Sequence, residues 1–140
     1  MDAIVHAFSK GARLIYIGAG TSGRLGILDA SECPPTYHTN PRMVQGIIAG
    51  GDKALKNSVE GAEDNAEDGK NSIIEKEISG NDVVLGISAN GNAPFILAAL
   101  KEAKFRSNYA NCLSQLKLTN QAIAVVVSLL QCFFWSNLLD

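Results

Sequence analysis

Residues Arg13-Leu-Ile-Tyr-Ile-Gly-Ala-Gly-Thr-Ser-Gly23 decide the fold class. The first five form a short apolar, β-rich run that ends at a glycine, which predicts a strand over 13–17. A glycine-rich turn follows at once, and the hydroxyls of Thr21 and Ser22 stand where a helix beginning near Gly23 would take its cap. That helix is expected over 23–31, with Cys33-Pro34-Pro35 stopping it.

The same order recurs twice further on. Met43 to Ala49 is a second apolar run closed by Gly50-Gly51, and Asp52 is placed to cap a helix beginning at Lys53. Asp82 to Ile87 is the third, followed by Ser88-Ala-Asn-Gly-Asn-Ala-Pro94, a turn into a helix that accepts proline in its first turn and continues over 97–104. Three strands, each followed by helical sequence, predict an α/β fold: a three-layer parallel sheet with helices on both faces and right-handed crossovers. Residues 60–77 are rich in acids and helix formers and read as a solvated helical stretch interrupted near Gly69. Upstream, the chain reaches its first strand almost directly, and residues 1–18 lack the basic leader, apolar run and cleavage site of a secretory signal.

Composition bounds the function. With 140 residues, 46% hydrophobic and 19% charged, the chain suits one domain with a single core. A net charge of -2 leaves no cationic excess to neutralise a phosphate backbone, so nucleic acid is not an expected partner. Cys33, Cys112 and Cys132 are odd in number and form no CxxC pair, which argues against a disulfide framework or a zinc site and fits a reducing cytoplasm. His6 and His38 are too isolated for a metal site or a nucleophilic triad. The run Ala122 to Trp135 is apolar apart from Ser128 and Gln131, but it falls short of the roughly 20 residues a membrane span requires. It reads as a buried strand or a mispacked tail, and no membrane partner is expected.

Gly18-Ala-Gly-Thr-Ser-Gly23 also fits the dinucleotide pattern G-x-G-x-x-G after a strand. That use wants an acid closing the second strand to hold a ribose, and the second strand here ends at Ala49 with none. The turn suits a phosphate monoester instead, seated at a helix N-terminus by Gly20, Thr21, Ser22 and Gly23. Taken alone, it serves equally as a sharp βα turn with helix-capping hydroxyls. Ser88, Asn90 and Asn92 form a second polar turn at the carboxyl end of a parallel strand, where open α/β sheets bind ligands. Among the acids, Glu32 stands directly after the first helix, against the double proline. Glu60 and Glu63 are three apart and would share a helical face.

The run Gly11 to Tyr37, with Val59-Glu-Gly-Ala-Glu-Asp64, Ile47-Ile-Ala-Gly-Gly51 and Asn81-Asp-Val-Val-Leu-Gly-Ile-Ser88, resembles the N-acetylmuramic acid 6-phosphate etherase family. The resemblance covers about 11–104 and implies a partial SIS domain over 1–104 with flavodoxin-like strand order. It further implies a homodimer, no metal or organic cofactor, and a part in cell-wall sugar recycling. The glucokinase regulatory protein shares the signature and binds sugar phosphates without catalysis. By the resemblance the catalytic pair falls on Glu32, as proton donor, and Glu63, as base, with N-acetylmuramic acid 6-phosphate as substrate. Lactate elimination needs a base at C2 and an acid for the departing ether oxygen, so two carboxyls in opposite protonation states fit it. The second loop departs from the family's Ser-Gly-x-Thr-Pro: it reads Asn90-Gly-Asn-Ala-Pro94, without two hydroxyls. From Phe105 the resemblance ends, returns over 117–127 and ends again, so 105–140 reads as a divergent tail produced by reading-frame shifts.

Overall fold

Period-two alternation along the first strand sends Leu14 and Tyr16 to one face of a sheet and Ile15 and Ile17 to the other, all of them buried. Both faces are therefore apolar, which is why the strands read as continuous hydrophobic runs. The computed structural model describes residues 2–89 and 91–107. In chain order it comprises α1 (Asp2–Ser9), β1 (Leu14–Gly18), α2 (Gly20–Tyr37), β2 (Val44–Ile48), α3 (Lys53–Lys56), a single 3-10 turn at Ala62–Asp64, α4 (Ala66–Glu75), β3 (Val83–Ile87) and α5 (Pro94–Arg106). The sheet is parallel, in the order β2-β1-β3, so β1 is central: Gly18 is level with Ile48 on one side and Ile87 on the other. This is the expected α/β architecture, with three strands of a flavodoxin-like order.

Each face has its own core. On one, Ile15, Ile17 and Val84 pack with Ile73 of α4 and with Phe95, Ile96 and Ala99 of α5. On the other, Leu14, Tyr16, Val44, Val83 and Leu85 pack with Ala7 of α1 and Ala30 and Cys33 of α2. There the Tyr16 hydroxyl donates to Asp29 Oδ2 at 2.7 Å, joining β1 to α2. Burial lifts the Asp29 carboxyl above its ordinary value although the Tyr16 hydrogen bond pulls the other way. Burial, and then the Asp29 charge, pushes the Cys33 thiol up to about 11.

Several local expectations are corrected. A helix, α1, precedes β1, and its Ala3, Ile4, Ala7 and Phe8 face the second core at helical spacing. The double proline does not stop α2, which runs to Tyr37 with Pro34 and Pro35 inside it. An interior proline costs about 3 kcal/mol. Two features offset it: Ala30 and Cys33 are anchored in the core, and hydrogen bonding resumes past the pair, where His38 N donates to Pro34 O at 2.8 Å. Glu32 thus lies within α2, not after it. Asp52 precedes α3 as expected, but its side chain makes no capping bond and the helix has only four residues.

Gly69 does not interrupt the acidic stretch. It is buried inside α4, where an added Cβ would lie 2.0 Å from Phe95 O, so the glycine lets α4 and α5 touch backbone to backbone. The break falls earlier, at Asn65, whose side chain accepts from Asp68 N and caps α4. Glu63 consequently sits on the 3-10 turn rather than on a helix shared with Glu60. No helix among the described residues is long and apolar enough to cross a membrane. The run at 122–135, Asn90, Cys112 and Cys132 lie outside the described residues.

Candidate functional site

Parallel register brings the turns after all three strands to one edge of the sheet. Ala49 N donates to Gly18 O at 3.0 Å, which ties the β2 exit to the β1 exit, and Ser88 follows Ile87 on the other side of β1. Strand spacing near 4.8 Å puts these turns within reach of one small molecule.

The first turn is tighter than the sequence reading placed it. α2 begins at Gly20, whose φ of +56° suits glycine, and Ala19 occupies the cap position without a side-chain hydrogen bond. Thr21 and Ser22 are therefore in the first helical turn, among the amides that have no acceptor within the helix and carry the positive end of its dipole. Ser22 is buried and Thr21 exposed. Gly23 has a packing role: its amide donates to Ala19 O, and a Cβ there would meet Ile48 Cγ1 at 2.6 Å.

A hollow of about 450 Å³ opens beside this helix end. It is lined by Gly20, Thr21 and Arg24 of α2, by Ala49 after β2 and Ala54 of α3, and by the segment from Ser58 to Glu63. Glu63 and the helix N-terminus thus share one cavity, together with Glu60. Arg24 escaped the sequence reading; its position one helical turn after Gly20 was the available signal. Its Nε donates to Ala54 O at 2.8 Å, fixing α2 to α3.

Of the expected members, Glu32, Ser88 and Asn92 stand apart, and Ser22 and Gly23, both buried, do not line the hollow. Glu32 is exposed, twelve residues beyond Gly20 on α2, which is about 18 Å along the axis at 1.5 Å per residue. Within the described chain it does not line the hollow with Glu63. Ser88 is at the right edge but does not line the hollow either, and its Oγ accepts from Gly91 N at 3.0 Å, closing its own loop. Asn92 is exposed beside it.

The geometry can hold an anion at the α2 N-terminus with a carboxylate opposite. Comparison with known proteins places the chain in a family. The family described as the glucokinase regulatory protein N-terminal SIS domain matches residues 1–104. Proteins named N-acetylmuramic acid 6-phosphate etherase are similar over a stretch of about the same length. That of Glaesserella parasuis is 59% identical over 104 residues, 74% of this chain and 34% of the relative. The relative from Clostridium acetobutylicum is 56% identical over 104 residues, with the same coverage of both chains. One from Enterococcus faecalis, named etherase 2, is 52% identical over 103 residues, 74% of this chain and 35% of the relative. The chain spans about a third of the length of these curated relatives. The parallel α/β fold and the match over residues 1–104 lead to one assignment: the chain belongs to the SIS-domain family represented by the N-terminal SIS domain of the glucokinase regulatory protein.

Proposed function

We propose that the chain is the sugar-phosphate-binding part of a carbon–oxygen lyase that cleaves the D-lactyl ether of N-acetylmuramic acid 6-phosphate, giving N-acetylglucosamine 6-phosphate and D-lactate. The observation that carries the reading is the single hollow shared by the α2 N-terminus and Glu63. The phosphate sits on the amides and hydroxyls of Gly20, Thr21 and Ser22, where the helix dipole favours negative charge. Glu63, across the cavity, removes the C2 proton of the ring-opened sugar, and Glu32 protonates the ether oxygen that leaves C3. Water then adds to the new double bond. The etherase names of relatives more than half identical over 104 residues support the same reading. A cytoplasmic, homodimeric enzyme without a cofactor belongs to it.

One observation favours a second reading, a sugar-phosphate sensor without catalysis: Glu32 lies far along α2 from the hollow. Lactate release from N-acetylmuramic acid 6-phosphate separates the two. Release that depends on Glu32 and Glu63 supports the lyase, whereas binding with no release in a full-length relative supports the sensor.

A further inference from the structure

Arg24 is the one cation among the described residues that line the hollow, whose lining also holds two carboxylates, Glu60 and Glu63. It is ion-paired to neither: the ion pairs among the described residues are Arg13 with Asp82 and Arg106 with Glu102. Its Nε is committed to Ala54 O, which fixes the guanidinium plane, while its two terminal nitrogens have no partner among the described residues. A guanidinium held by Nε keeps its outer edge, two parallel N–H groups, free for a planar oxyanion.

We propose that this edge of Arg24 binds the carboxylate of the lactyl ether, making Arg24 the residue that distinguishes a lactyl-bearing sugar phosphate from a plain one. The inference rests on the sugar-phosphate reading and deepens it. The ligand carries two anionic groups. The phosphate has a neutral seat in the amides of the α2 N-terminus, which repay an anion without a formal charge. The carboxylate has none: it enters a hollow already holding two acids, and only Arg24 offsets their repulsion. Bidentate pairing also fixes the lactyl group, so the ether oxygen is held in one orientation as it leaves.

The test is titration of the full 140-residue chain by calorimetry with three ligands: N-acetylmuramic acid 6-phosphate, its carboxyl methyl ester, and N-acetylglucosamine 6-phosphate. In the unaltered chain, esterification should weaken binding about tenfold or more, the range for a lost charge-assisted contact. In Arg24→Gln, acid and ester should bind alike, while N-acetylglucosamine 6-phosphate changes less than threefold. Equal binding of acid and ester by the unaltered chain overturns the assignment without recourse to any variant, so a folding defect in Arg24→Gln cannot mask the answer. Equal loss of all three ligands in a folded Arg24→Gln overturns it too, leaving Arg24 as a clamp on Ala54. Failure of the unaltered chain to bind any of the three rejects the sugar-phosphate reading itself, and this assignment with it.

Discussion

Arg13 and Asp82 join the entrances of the two adjacent strands β1 and β3. The Arg13 guanidinium lies 2.6 Å from Asp82 Oδ2 and the Arg13 backbone N–H donates to Oδ1 at 2.8 Å, while Ser79 N donates to Oδ2 at 2.9 Å. Burial alone would raise the Asp82 carboxyl, but these donors outweigh it and hold the group below its usual value. A depressed folded value means that the stability it contributes is complete above the unfolded value, near 3.9, and is lost as pH falls through the folded one. Asp82→Asn should therefore lower stability at neutral pH by about 1.5–3 kcal/mol and flatten its decline below about pH 4. Urea melts at pH 3, 4 and 7 check both; an unchanged acid limb would show that Asp82 does not govern it.

Gly69 in α4 and Phe95 O in α5 permit no side chain between them, and the neighbour is backbone, which cannot rotate away. Gly69→Ala should cost at least about 1–3 kcal/mol despite alanine's better helix propensity, because α4 and α5 must separate. For a domain of this size that amounts to a fall in Tm of several degrees. The exposed neighbour Lys70 provides the contrast, since Lys70→Ala should stay within about 0.5 kcal/mol. A Gly69→Ala chain that melts with the unaltered one would mean the helices are not in contact.

How much of this was legible follows from what each residue reports. The strands were readable because β1, β2 and β3 are short apolar runs bounded by turn residues, and the hydroxyl-bearing turn after β1 pointed to the helix end beside which the hollow opens. Pro34 and Pro35 misled because the anchoring of Ala30 and Cys33 in the core is a tertiary fact that local propensity does not carry. Gly69 misled for a related reason: its value lies in the approach of Phe95, 26 positions away. Glu63 was singled out through resemblance, as partner of Glu32, and its sharing of a hollow with the α2 N-terminus was not foreseen; Arg24 was missed because nothing in its neighbours shows that its Nε meets Ala54.

Binding separates the hollow from the rest of the fold. Thr21 lines it in the first turn of α2, so Thr21→Val, which keeps the shape and removes the hydroxyl, should weaken N-acetylglucosamine 6-phosphate about tenfold. Glu32→Gln, about 18 Å further along the same helix, should leave that affinity within twofold. Calorimetry on this chain reads both, and comparable losses in the two variants would move the ligand away from the α2 N-terminus.

Turnover is the most demanding case. Elimination needs an acid and a base on one sugar ring, and in this chain Glu63 lines the hollow while Glu32 lies well down α2. Misplacement by about 1 Å already costs on the order of 10²-fold, so the 140-residue chain should release lactate at no more than about one hundredth of the rate of a full-length relative. Among the described residues both outer strands, β2 and β3, also keep one edge unpaired, which favours association between chains. In the relative, Gln in place of either matched glutamate should lower turnover by about 10²–10⁴-fold, since the amide preserves shape but transfers no proton. Lactate release and light scattering on the same preparation decide the matter. A monodisperse dimer of this chain working at the full-length rate would show that α2 is rearranged or that a second copy delivers its Glu32, and either outcome would overturn the expectation of inactivity.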